Sequence, residues 1–383
     1  MVQAISNKSQ ITYKKLFHQE PALRVVAPGR INLIGEHTDY SEGFVLPAAI
    51  NRYVTIVFSP REDDLVSVYS EDFEEYFHIN LSNFKKQERS WAEYLQGAAW
   101  AFKEEGYQLK GWQGVITGNI PIGAGLSSSA ALEIAIGKVF CETSDILMEP
   151  TDLALIALKA ERDWVGLNVG IMDQLISAGA KESHAMLLDC KTLDFEFIPI
   201  PENVSFIVMD TLTRRELTQS EYNTRHEEVQ IVTSILGLNS LREANYSDLK
   251  AKEKEISPTL MKRANHVINE NYRVLNFVEA MRRNNLISMG KLLNESHVSL
   301  RDDFEVSSEA LNLLVDLANL RPNCYGARMT GAGFGGCALA MVKKGNEESF
   351  IQEVTAAYKK ITGICPNLFT IQSVNGANSQ KLK

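Results

Sequence analysis

Residues 121–135 read PIGAGLSSSAALEIA and follow the stretch Gly-Val-Ile-Thr-Gly-Asn-Ile at 114–120. The β-branched residues of the first stretch predict a strand, and the serine run leading into Ala and Leu predicts a helix. A strand, a Gly/Ser loop and a helix in that order place a helix mouth at the end of a strand. Such a mouth carries unpaired N–H groups and about half a unit of positive charge, so it attracts phosphate. Gly123 and Gly125 permit positive φ and a close backbone approach to an anion. Ser127, Ser128 and Ser129 add hydroxyl groups that hydrogen-bond phosphate oxygens or ligate Mg²⁺. No G-x-x-x-x-G-K-[ST] is present, so no phosphate-loop lysine supplies the charge. Spacing alone leaves two readings open, a phosphate loop and a capped helix after a turn.

A second glycine cluster, Gly331-Ala-Gly-Phe-Gly-Gly336, fits G-x-G-x-x-G. The dinucleotide fingerprint must follow a strand and open a helix early in a βαβ unit. Here the strand-like Cys-Ala-Leu-Ala-Met-Val follows the glycines, late in the chain. The cluster therefore predicts a tight turn whose backbone approaches another loop or a ligand.

Two further stretches carry polar residues in apolar settings. Residues 27–43, APGRINLIGEHTDYSEG, set Arg30, Glu36, His37 and Asp39 among residues that pin the segment to a core. Alternating donors and acceptors on a short turn suit a polyhydroxyl ligand, whose hydroxyls both give and accept hydrogen bonds. Residues 160–174, AERDWVGLNVGIMDQ, join Glu161 near a helix end to Asp173 across a glycine-bearing loop. A carboxylate in the Gly-Ile-Met setting is partly desolvated, and a nearby arginine would keep it ionised. An ordinary helix cap is the plainer alternative for Asp173. HExxH, GxSxG and the protein-kinase HRD and DFG motifs are absent.

Composition sets outer limits. At 383 residues, with 45% hydrophobic and 23% charged, the chain is an ordinary globular protein long enough for two domains. A net charge of −9 argues against nucleic-acid or anionic-membrane binding, which need a concentrated basic surface. The five cysteines are scattered and never in C-x-x-C spacing, which argues for a reducing compartment and against a zinc or disulfide scaffold. No apolar run nears the roughly 18 residues of a membrane span, and MVQAISNKSQ lacks a signal-peptide core, so a cytosolic location is expected.

Strands are expected at 52–58, 65–69 and 76–81, then helices from Trp91 to a stop at Gly106, from the 127–129 serine run, and from Thr151 to Gly166. The extended Ile-Pro-Ile-Pro-Glu-Asn at 198–203 marks a domain boundary near residue 205, giving domains 1–205 and 206–383. Helices at 221–236, 258–285 and 307–320, the glycine turn, a strand at 337–342 and a helix at 347–360 follow. The run Lys-Ala-Lys-Glu-Lys-Glu at 250–255 is expected to be a solvated helix face, and the tail NGANSQKLK to be loose.

Taken together, the four stretches resemble the galactokinase branch of the GHMP small-molecule kinases. APGRINLIGEHTDYSEGFVLP resembles its sugar signature, PIGAGLSSSAALE its phosphate loop, GLNVGIMDQ the loop bearing its aspartate, and RMTGAGFGGC its third glycine motif. The matches run in the family's order from Ala27 to Cys337. The resemblance implies two α+β domains, a ribosomal-S5-domain-2-like N-terminal one and a ferredoxin-like C-terminal one, with the active site in the cleft between them. It implies ATP-dependent phosphorylation of α-D-galactose at the C1 hydroxyl, with ATP and Mg²⁺ required, by a monomer.

The same resemblance assigns roles. Arg30 and Asp173 match the catalytic pair. Glu36, His37, Asp39, Gly170, Asp173 and Tyr222 match positions that grip sugar hydroxyls. Gly123, Ala124, Gly125, Leu126, Ser127, Ser128 and Ser129 match the triphosphate cradle, Trp91 an aromatic residue near the adenine, and Arg214 a nucleotide-contacting arginine. Ser129 and Glu161 match the Mg²⁺ ligands. Two departures stand out: the segment before Ala27 lacks a Phe-Gly pair common in relatives, and His226 stands where an arginine is common. Two alternatives follow from the same motifs, a kinase for N-acetylgalactosamine or arabinose, and an inactive galactose/ATP sensor. Sensor relatives have lost a Ser-Ala pair from the phosphate loop, whereas Ser128-Ser129-Ala130-Ala131 is intact here.

Overall fold

The computed structural model describes residues 2–86, 90–213 and 218–382. A six-stranded sheet forms the first half, in the order Asn378–Lys381, Leu23–Asn32, Pro47–Pro60, Trp112–Gly118, Leu65–Ser70, Glu75–Asn80. Its pairings are antiparallel except that of Leu65–Ser70 with Trp112–Gly118. Side chains alternate along the long central strand. Ile56 and Phe58 point into the main core with Leu95, Ile134 and Phe140 from the helices Ala92–Glu104 and Ser128–Thr143. Val57 points the other way and meets Val115 and Tyr13 of the helix Val2–Phe17.

The second half is built on an all-antiparallel sheet ordered Cys324–Thr330, Cys337–Lys343, Val204–Asp210, Asn367–Ile371. It is buried on both faces. Ile207, Met209, Ala338 and Ala340 pack on the domain's own helices, which include Pro258–Arg282 and Glu309–Asn319. Phe206, Val208, Leu339 and Met341 pack into the core of the first half. The two domains thus share apolar surface along the sheet, which fixes the groove between their loops. Together this is the two-domain α+β arrangement expected from the resemblance.

Most expected elements are present within a residue or two, and three features differ. The tail is not loose: Asn378–Lys381 pairs with Leu23–Val26 and closes one edge of the first sheet. Its Asn-Ser-Gln-Lys sequence has no apolar alternation; the backbone ladder holds it, with side-chain bonds from Arg24 to Gln380 and from Ser379 to Glu142. The helix carrying Lys250 ends at Ala251, and the rest of that charged run is turn, solvated as expected. The helix expected from Thr151 to Gly166 is α-helical only over Pro150–Lys159; a π-turn, Ala160–Val165, completes it, and Gly166 closes it at φ +91°.

Candidate active site

Gly29 starts the site. The pairing of Leu23–Asn32 with Pro47–Pro60 shifts register between Pro28 and Arg30, a bulge that leaves Gly29 unpaired just before Arg30 rejoins the ladder opposite Ala49. A Cβ on Gly29 would lie 2.7 Å from the carbonyl oxygen of Leu126, and the Arg30 N–H donates to that same oxygen at 3.1 Å. The signature strand and the glycine loop are therefore in backbone contact. From there the Arg30 guanidinium forks onto Asp173, Nε to Oδ1 at 2.7 Å and Nη2 to Oδ2 at 2.8 Å, while Nη1 donates to the Gly125 carbonyl at 2.7 Å. Burial opposes the charge of Arg30, but the carboxylates of Asp173, Glu36 and Asp39 outweigh it and raise its pKa.

The loop 121–127 enters the helix Ser128–Thr143 through Gly123 (φ +67°), Gly125 (φ +78°) and Ser127 (φ +58°). Ser127 occupies the N-cap position without capping; its hydroxyl bonds Oδ2 of Asp173 instead. With no side chain folded over it, the helix mouth keeps its N–H groups for an anion. Of the two readings left open by spacing, a helix capped by its own serine is not what is found. Asp173 itself sits inside the helix Met172–Gly179, whose N-cap is Ile171, so it is not an ordinary cap.

The glycine turn at 331–336 lies against this loop. A Cβ on Gly331 would meet the Gly125 oxygen at 2.9 Å, and one on Gly336 the Ala124 oxygen at 3.0 Å. The expected close approach of that turn to another loop is what is found. Its backbone also meets the sugar signature: Gly331 N–H donates to Glu36 Oε1 at 2.8 Å, and His37 Nε2 donates to the Ala332 carbonyl at 3.1 Å. With Nε2 protonated, Nδ1 of His37 accepts from the Tyr40 hydroxyl at 3.0 Å. Burial, chiefly, holds His37 down to about 3, so the ring is neutral.

Glu36, His37, Asp39, Gly170 and Tyr222 cluster next to Asp173. A Cβ on Gly170 would lie 2.2 Å from Oδ2 of Asp39, and the rings of His37 and Tyr222 are 5.4 Å apart. Desolvation first, then the Asp173 charge, pushes Asp39 up to about 6. His226 meets Tyr40 edge-on at 5.1 Å.

On the other side of Asp173, the Ser129 hydroxyl lies beside the Glu161 carboxyl and favours its ionised form. Desolvation and the neighbouring Asp173 raise the Glu161 carboxyl above the ordinary range. Among the described residues no group of three or more His, Cys, Asp or Glu forms a ready-made metal cage. A hydroxyl and a carboxylate beside a helix mouth suit Mg²⁺, which takes few protein oxygens and keeps several waters.

Trp91 lines a cavity of about 560 Å³ with Phe73, Tyr94, Ile116, Leu132 and Ser129. Its ring stacks on Phe73 at 6.2 Å and its Nε1–H donates to Glu75 at 3.1 Å. The flat, apolar slot runs from Trp91 to the helix mouth, the shape a base and its phosphates need. Arg214, the remaining expected nucleotide contact, lies outside the described residues.

Several site residues escaped the sequence reading. Thr330, Arg328 and Asn32 hold the Glu36 carboxylate: Thr330 Oγ1 at 2.9 Å, Asn32 Nδ2 at 3.1 Å, and fully buried Arg328 at 3.3 Å. Behind the loop, Glu270 accepts from the Gly35 N–H at 3.0 Å and His266 Nε2 donates to the Glu36 carbonyl at 3.1 Å. The one available signal is that Arg263, His266 and Glu270 recur at helical spacing within the otherwise apolar face of Pro258–Arg282.

Comparison with known proteins agrees with this geometry. The galactokinase galactose-binding signature matches residues 11–60, the GHMP kinase N-terminal domain residues 93–180, and the GHMP kinase C-terminal domain residues 277–360. The chain is 39% identical to a galactokinase of Haemophilus influenzae over 379 residues, 97% of this chain and 98% of that one. It is 38% identical to a galactokinase of Roseiflexus over 361 residues, 93% of this chain and 92% of that one. The crystal structure of Lactococcus lactis galactokinase complexed with galactose superposes with a TM-score of 0.94 at 36% identity, covering 99% of this chain and all (100%) of that one. Methanococcus jannaschii mevalonate kinase shares the fold, with a TM-score of 0.65 at 19% identity over 92% of this chain and 99% of that one.

Proposed function

The chain belongs to the galactokinase family of the GHMP kinases, and we propose that it transfers the γ-phosphoryl group of ATP to the C1 hydroxyl of α-D-galactose. The observation that carries the reading is the Arg30–Asp173 fork, seated between the polar cluster and the helix mouth. In this reading the sugar sits beside Asp39 and Tyr222, and the triphosphate lies on the N–H groups of 123–129. Trp91 takes the adenine.

Phosphoryl transfer asks for alignment and charge stabilisation more than for covalent work by the protein. Asp173 accepts the proton of the C1 hydroxyl as its oxygen bonds to the γ-phosphorus. The bond to the bridging oxygen breaks, and ADP leaves with the electron pair. Arg30 holds Asp173 in register through two hydrogen bonds and adds positive charge beside the migrating group. Mg²⁺, held by Ser129 and Glu161, neutralises phosphate charge when bound.

Incubation with ATP, Mg²⁺ and a panel of sugars, followed by identification of the product, tests the reading. Galactose 1-phosphate with stoichiometric ADP is expected. A clear preference for N-acetylgalactosamine or arabinose would redirect the substrate. Galactose binding without ADP release would instead mark a sensor. Cytosolic ATP suits this activity, and the five cysteines form no disulfide; among the described residues no helix is long and apolar enough to cross a membrane.

A further inference from the structure

Asp173 and Gln174 are neighbours near the start of the helix Met172–Gly179, and a helix turns successive side chains about 100° apart. Asp173 meets Arg30. Gln174, fully buried, turns toward the metal side, where its Nε2 donates to Oε2 of Glu161 and to Oε2 of Glu133, the latter at 3.3 Å. An amide nitrogen carries two hydrogens and accepts nothing, so two carboxylates use its full donor capacity and fix which way the amide points.

The two carboxylates stand on different supports. Glu133 lies one turn beyond Ser129 on the regular helix Ser128–Thr143 and is buried, as is Glu161. Glu161 belongs to the π-turn Ala160–Val165, which ends at left-handed Gly166. Single π-turns within helices occur mostly at functional sites. The amide of Gln174 thus ties the carboxylate on the irregular segment to one on a rigid element.

We propose that Gln174 is a positioning residue that clamps Glu161 against Glu133 and so sets how tightly the Ser129–Glu161 site holds a divalent cation. The proposal rests on the reading of Ser129 and Glu161 as the metal ligands. Groups that orient metal ligands commonly change affinity about 10–100-fold when removed. On this view the Asp-Gln pair divides two tasks: Asp173 serves the sugar, and Gln174 serves the metal through Glu161.

The test uses the full chain with a non-hydrolysable ATP analogue and Mn²⁺ as probe, its binding read by electron paramagnetic resonance and calorimetry. Glu161→Ala checks the premise and should abolish tight Mn²⁺ binding. Gln174→Met should weaken Mn²⁺ about 10–100-fold while leaving galactose affinity unchanged. Glu133→Leu, a swap of a buried carboxylate for an apolar side chain, should reproduce that loss without touching Gln174. Glu133→Gln, whose side-chain oxygen still accepts from Gln174, should keep near-normal Mn²⁺ affinity. Wild-type Mn²⁺ affinity in a folded Gln174→Met or Glu133→Leu protein, with Glu161→Ala impaired, overturns the clamp. Wild-type affinity in Glu161→Ala overturns the metal assignment instead.

Discussion

Gly331 and Gly125 touch backbone to backbone: a Cβ on Gly331 would sit 2.9 Å from the carbonyl oxygen of Gly125. That same carbonyl accepts from Arg30, and the Gly331 N–H donates to Glu36. One glycine of the C-terminal domain therefore abuts the phosphate loop while bonding the sugar signature. Gly331→Ala adds a methyl group at φ +83°, where a side chain is strained as well as crowded. We expect a loss of about 1–3 kcal/mol in stability, read by urea denaturation, and a raised KM for ATP.

Asp173→Asn keeps the shape of the side chain but removes the proton acceptor. Loss of general-base help lowers kcat about 10²–10⁴-fold. Binding of an ATP analogue, measured by calorimetry, should be unchanged. An Asp173→Asn enzyme of normal turnover would falsify the base role.

Arg30→Lys replaces a planar fork by a point charge. The guanidinium makes three hydrogen bonds here, two to Asp173 and one to the Gly125 carbonyl, and an ammonium group on a flexible stem cannot reproduce that geometry. Steady-state kinetics should show kcat lowered by about 10² or more. Restoration of full turnover by lysine would mean that charge alone suffices.

Gly170→Ala would place its methyl carbon 2.2 Å from Oδ2 of Asp39. The Asp39 carboxylate must move, which on the proposed reading disturbs the sugar side of the site and not the nucleotide side. The expected signature is a raised KM for galactose with the KM for ATP unchanged. A uniform loss of both would point to general unfolding.

Asp39 also predicts a pH effect. Its carboxyl is raised from 3.8 to about 6, by desolvation foremost and then by the Asp173 charge. The folded state therefore holds this proton more tightly than the unfolded chain does. Asp39 stabilises the fold fully below about pH 4 and loses that contribution as pH rises to about 6. Glu270 runs the opposite way, held down to about 2 despite its burial by the charges of Arg273, His266 and Arg328, whereas buried Glu161 is raised like Asp39. The informative measurement is the stability difference between wild type and Asp39→Asn across pH 4–7. The wild type should lose ground to the variant as pH rises, and a flat difference would sink the assignment.

Local chemistry was legible in the chain wherever neighbours in sequence act together. Gly123, Gly125 and the serine run announce a positive-φ loop opening into a helix because positive φ and a helix start are properties of consecutive residues. Gly331–Gly336 likewise reads as a close-approach turn because a strand follows it. What the sequence could not reveal is which distant groups meet. Arg328 and Glu36, and Glu270 and Gly35, are paired through burial created only when the two domains pack. The tail strand Asn378–Lys381 carries no apolar pattern and is held by backbone pairing with Leu23–Val26, whose edge exists only in the folded sheet. Even the decision between a capped helix and an open one fell to tertiary structure, since Asp173, 46 residues on, takes the Ser127 hydroxyl away from the helix end.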